Sequence, residues 1–89
     1  MEKYAVITGA SSGIGKEFAK LLARQGYYLV LVARRVARLE QLAKELDTDC
    51  LIIEADLKNE NDCYQLFEKV KDLNVEILIN NAGFGISGN

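Results

Sequence analysis

The chain predicts an α/β fold, with four parallel strands in one sheet and helices on both faces, and three observations predict it. Short apolar runs recur four times along its 89 residues. Between them lie three stretches whose apolar residues repeat at helical spacing, and a glycine-spaced loop joins the first run to the first such stretch. Strands that are apolar throughout need cover on both faces, which right-handed crossover helices supply. The order β-α-β-α-β-α-β therefore implies a three-layer Rossmann-type half-fold, a four-stranded parallel sheet of order 3-2-1-4, with its reversal point between strands 1 and 4.

Each element follows from local chemistry. Tyr4 to Thr8 is short, apolar and partly β-branched, and ends at Gly9, as a buried strand does. Ile14, Phe18, Leu21 and Leu22 then recur at helical spacing, with Lys16, Glu17, Lys20 and Arg24 opposite, and Gly26 supplies a left-handed stop. Tyr28 to Ala33 is the strongest strand signal. A second helix buries Leu39, Leu42, Ala43 and Leu46, and a third strand runs from Cys50 to Ala55. Asn59, three residues before Asp62, marks the start of a third helix, since a short polar side chain accepts bonds from first-turn amides. Cys63, Leu66, Phe67, Val70 and Leu73 mark its expected buried face. Val75 to Ile79 forms the fourth strand and leads into Asn80-Asn81-Ala82-Gly83, while 84–89 show no element of their own.

Composition narrows the function. An apolar fraction of 49% with 27% charged residues is that of a globular chain rather than a disordered one. A net charge of −2 offers no basic field for nucleic acid or an anionic membrane. The longest apolar run, Tyr27 to Ala33, falls far short of the roughly 20 residues that span a bilayer, and the N-terminus lacks signal-peptide features, so a cytoplasmic location is expected. Histidine is absent and there are two cysteines, so no metal centre built on His or on four Cys is available. Cys50 and Cys63 are expected to be reduced core residues.

The chemistry concentrates on Thr8-Gly9-Ala10-Ser11-Ser12-Gly13-Ile14-Gly15. Gly9, Gly13 and Gly15, with Ser11 and Ser12 between them, exceed what a turn needs and bare backbone amides at the positive end of a helix dipole. A pyrophosphate is the natural occupant. A Walker loop is excluded, because five residues rather than four separate Gly9 from Gly15, and Lys16 is followed by Glu17. In a dinucleotide site the end of strand 2 selects the cofactor: a carboxylate bonds a ribose 2′-hydroxyl, whereas a cation accepts a 2′-phosphate. Arg34 and Arg35 stand there without an acid, which favours NADP over NAD. Asp56, with the Leu57 backbone beside it, is placed to accept a bond from an adenine amino group, or to cap the next helix. Asn80, Asn81, Ala82 and Gly83 close the floor of the site, or form a simple polar turn.

In order and spacing, the Thr8 to Gly15 loop, Asp56 and Asn80-Asn81-Ala82-Gly83 resemble the cofactor-binding signature of the short-chain dehydrogenase/reductase family. The resemblance covers essentially the whole chain. It implies an NAD(P)-dependent oxidoreductase with a single-domain Rossmann fold that transfers hydride between nicotinamide and a carbonyl or alcohol, and Arg34 and Arg35 narrow the cofactor to NADP. It also implies catalytic asparagine, serine and Tyr-x-x-x-Lys groups beyond the Asn-Asn-Ala-Gly motif. Tyr4, Tyr27, Tyr28 and Tyr64 are followed four residues later by Thr8, Leu31, Val32 and Glu68, so none supplies the pair. Residues 1–89 are thus expected to be the N-terminal part of a single NAD(P)-binding domain, truncated before the catalytic segment and inactive alone. The alternative is a non-catalytic dinucleotide-binding or interaction module. In either case the open edge of strand 4 is expected to favour self-association.

Overall fold

A strand buried on both faces must be apolar at every position, and the two runs that satisfy this most fully, β1 (Tyr4–Thr8) and β2 (Tyr28–Ala33), take the centre of the sheet. The computed structural model describes residues 2–10 and 13–81. Its other elements are α1 (Gly13–Arg24), α2 (Val36–Glu45), β3 (Cys50–Glu54), α3 (Glu60–Val70) and β4 (Val75–Asn80). The sheet order is β3-β2-β1-β4 with every neighbour parallel, as the sequence predicts. Ile7 sits opposite Leu31 on one side and Ile79 on the other, so β1 is paired along both edges.

Alternation along β1 and β2 splits the core in two. Ala5, Ile7, Leu29 and Leu31 point to the side covered by α1 and α2, where Ala19, Leu22, Leu39 and Leu42 meet them. Val6, Val30 and Val32 point to the other side, where Leu66 and Val70 of α3 lie against them. Leu39 and Leu42 are almost wholly withdrawn from water, and burying a side chain of that size contributes about 1.5–3 kcal/mol. Gly26 ends α1 with φ of 90°, the left-handed stop its position predicts. Asn59 caps α3 by accepting from Asp62 N at 3.1 Å. No described helix is long and apolar enough to cross a membrane.

Three expectations are corrected. On α1 Leu22 is buried as predicted, but it shares the buried face with Gly15 and Ala19, while Ile14, Phe18 and Leu21 are exposed. Both triplets share the same spacing, one position apart, and the small triplet wins because it lets the helix axis approach the sheet closely. On α3, Cys63 and Phe67 are exposed and no residue is fully buried; Leu66 and Val70, with Leu73 just past the helix, are partly buried against the core. Of the two cysteines, Cys50 is partly buried against the core as expected, but Cys63 is not a core residue. Cys63 is exposed, and its Sγ donates to Leu57 O at 3.2 Å. Cys50 is half-buried at the start of edge strand β3, where desolvation and then the Asp49 carboxylate push its thiol pKa up.

Candidate functional site

Parallel strands all end at the same edge of a sheet, and loops that follow them share that edge. Here it gathers Gly9 after β1, Arg34 after β2, Ala55 and Asp56 after β3, and Asn81 after β4. Backbone bonds tie the strand tips together. Gly9 N donates to Val32 O at 2.8 Å, and Ala55 N donates to Ala33 O at 3.1 Å.

Side-chain bonds join the strand tips between β1 and β4, where the strand order reverses. The Thr8 hydroxyl donates to Asn80 Oδ1 at 3.0 Å and accepts from Asn81 N at 3.1 Å. Asn81 Nδ2 donates to Gly9 O at 3.1 Å. Gly9 itself takes φ of 65°, a left-handed conformation that costs glycine little. A Cβ on Gly15 would stand 2.5 Å from Gly9 O, 2.8 Å from Ala10 Cα and 3.1 Å from Asn81 Nδ2. The first turn of α1 is therefore seated directly on this junction, with the positive end of its dipole at the sheet edge. Gly13 differs: among the described residues nothing lies within 4 Å of a Cβ placed there. Ile14, between them, is 64% exposed.

Arg34 and Arg35 are both exposed at the end of β2. Arg35 is the N-cap of α2, with extended backbone and no side-chain cap bond. A guanidinium has no acceptor to offer there, and Ser, Thr, Asp or Asn would stabilise the helix by about 1 kcal/mol. The first turn of α2 also holds no acid, so the cation faces the positive dipole end unrelieved. Among the described residues neither arginine forms an ion pair. Arginine is thus the wrong residue for the helix and the right one for a phosphate.

Between Arg34 and the end of β3 lies a shallow depression of about 350 Å³, lined also by Glu54, Ala55, Asp56 and Asp62. Asp56 O accepts from Asn59 N at 2.8 Å and Asp56 Oδ1 accepts from Lys58 N at 3.0 Å. Asp56 N donates to Asp62 Oδ2 at 2.8 Å. Asp56 does not cap α3, since Asn59 does, and its Oδ2 has no partner among the described residues. Leu57 is half-buried against the core beneath α3.

The structure thus brings Gly9, Gly13, Ile14, Gly15, Arg34, Arg35, Asp56, Leu57, Asn80 and Asn81 to one edge. Ser11, Ser12, Ala82 and Gly83 lie outside the described residues. Two roles escape the sequence. Thr8 is visible as the end of a strand and the head of the glycine loop, but its hydroxyl link to β4 spans 72 residues and has no local signal. Asp62 was visible as a helix-start residue, and its bond back to Asp56 depends on the shape of the turn between them.

The family model for short chain dehydrogenase matches residues 3–89. A very-long-chain 3-oxoacyl-CoA reductase of Pyricularia oryzae is 44% identical over an aligned stretch of 87 positions, covering 90% of this chain and 26% of that protein. The bulky-bulky ketone specific alcohol dehydrogenase of Comamonas testosteroni superposes with a TM-score of 0.80 at 40% identity, covering 92% of this chain and 36% of its own. A short-chain dehydrogenase of Sphingobium yanoikuyae in complex with NADPH gives a TM-score of 0.80 at 41% identity, covering 91% and 34%. The chain spans about a quarter of the length of the Pyricularia reductase and about a third of each solved enzyme.

The two glycines should separate on substitution. Gly15→Ala sets a methyl group against backbone, costing about 1–3 kcal/mol of overpacking against at most about 1 kcal/mol of gained helix propensity. Thermal unfolding should show a lowered midpoint for Gly15→Ala and an unchanged or raised one for Gly13→Ala. An equal fall in both would mean that α1 is not seated on the strand tips as described.

Proposed function

Because the chain belongs to the short-chain dehydrogenase family, we propose that its sheet edge is the NADP-binding half of an oxidoreductase acting between a carbonyl and an alcohol. The observation that carries this is Arg35 at the N-cap of α2, with no side-chain cap bond and, among the described residues, no ion pair, beside Arg34. Two forked, permanently charged donors at the end of the second strand match a ribose 2′-phosphate, which NADP carries and NAD lacks. The NADPH-bound relative from Sphingobium yanoikuyae supports the choice.

The remaining roles follow from chemistry and position. The cofactor when bound supplies the hydride that reduces a carbonyl or takes it from an alcohol. Ser11, Ser12, Gly13, Ile14 and Gly15 present backbone and hydroxyl donors to the pyrophosphate, Gly9, whose amide is bonded to Val32 O, supplies the left-handed turn that starts the loop, and the open space at Gly13 lets that backbone be approached. Asp56 Oδ2 accepts from the adenine amino group while the Leu57 backbone lies alongside. Asn80, Asn81, Ala82 and Gly83 close the floor towards the ribose and nicotinamide. Titration should show NADP binding with NAD much weaker. Changing both Arg34 and Arg35 to Glu should weaken NADP at least tenfold while sparing NAD, and equal loss of both would reject a 2′-phosphate role.

Binding and turnover are separable here. None of the four tyrosines precedes a lysine by four residues, so the 89 residues hold no Tyr-x-x-x-Lys pair to relay the proton that accompanies hydride transfer. Mixed with NADPH and a panel of ketones, the chain should cause no oxidation above buffer. Protein-dependent turnover would show that other groups in it can do this work.

A non-catalytic interaction module is the alternative, favoured by one observation: Leu78 is 65% exposed on edge strand β4. An apolar edge with unpaired backbone groups recruits a further strand, and a second copy of the chain can supply it. Sedimentation at high concentration should then reveal dimers, whereas a clean monomer removes the self-association this alternative rests on.

A further inference from the structure

Asp62 does more than α3 requires. Its backbone N donates to Asn59 Oδ1, which completes the helix cap, and Glu60 already supplies a carboxylate to the first turn. In the usual reciprocal cap, the acid at this position turns back to the amide of the capping residue. Here Asp62 Oδ2 reaches past Asn59 and accepts from Asp56 N at 2.8 Å. That bond closes the turn from Asp56 to Asn59 on itself. Asp56 is then held at its amide by Asp62, at Oδ1 by Lys58 N and at its carbonyl by Asn59 N, so only Oδ2 is left to face a ligand. Asp62 also lines the same depression as Arg34 and Asp56, although it is on a different element from either.

We infer that Asp62 is a positioning residue for the adenosine half of the site: it fixes the direction of the Asp56 carboxylate and so sets affinity for adenine. This rests on the dinucleotide reading above. Binding geometry held by a charge-assisted hydrogen bond loses affinity when the bond is removed, since the carboxylate must then be ordered at the moment of binding. The charge of Asp62 is spent on the amide rather than aimed at the ligand, so an uncharged acceptor of the same shape can replace it. Asn at position 62 keeps such an oxygen, and Ala does not.

Calorimetric titration of the 89-residue chain with adenosine 2′,5′-bisphosphate, and separately with nicotinamide mononucleotide, tests this role. Asp62→Ala should weaken the bisphosphate about tenfold, the loss expected for one hydrogen bond to a charged group, and leave nicotinamide mononucleotide unchanged. Asp62→Asn should restore most of that affinity. Asn59→Ala removes the helix cap but not the Asp62 to Asp56 bond, so it should lower the melting temperature and keep bisphosphate affinity within about twofold of wild type. A folded Asp62→Ala chain that binds the bisphosphate as wild type does would overturn the role of Asp62 alone. So would an Asn59→Ala chain that loses as much affinity, because helix stability would then account for both. Failure of the wild-type chain to bind either NADP or the bisphosphate would overturn the dinucleotide reading itself, and this role with it.

Discussion

The close approach of α1 to the tips of β1 and β4 is the constraint on which the site depends. Gly15 stands where any side chain would strike Gly9 O or Ala10 Cα, and the Asn81 side chain bonds the same Gly9 carbonyl. Helix, loop and outer strand are thereby held at one point. Relaxing that point would withdraw the helix dipole from the edge and loosen the strand ends that carry the remaining groups.

This junction also explains the face that α1 buries. An apolar stripe on Ile14, Phe18 and Leu21 has more surface to hide than one on Gly15, Ala19 and Leu22, and hydrophobic burial alone favours the former. Seating the helix terminus on the strand tips demands the smaller set, and the larger one is turned to the flank. Local preference yields to the site a second time at Arg35, which occupies an N-cap it cannot serve. Both departures fall at the edge where the glycine loop lies, as expected where function competes with packing.

The opposite side of the edge is built differently. Between β1 and β4 the bonds run through Thr8, Asn80 and Asn81 and join residues far apart in the chain. Around Asp56 they are local, closing a short turn between β3 and α3. The β1–β4 side of the edge therefore depends on the sheet being assembled, whereas the Asp56 side, where we propose that adenine binds, depends on one turn and the first turn of one helix.

The sequence by itself determined the alternation of elements, the strand order and the edge at which the candidate residues gather. Those follow from periodicity and crossover handedness, which are local or general rules, and Tyr28 to Ala33, Asn59 and Gly26 each carried a plain local signal. Tertiary structure alone decided which of two equally spaced triplets α1 buries, how little of α3 is covered and that Cys63 faces solvent. It also decided that Thr8 joins β1 to β4 and that Asp62 answers Asp56. The physical reason is that spacing fixes which residues share a face, while the choice between faces is made by the distance at which another element can approach.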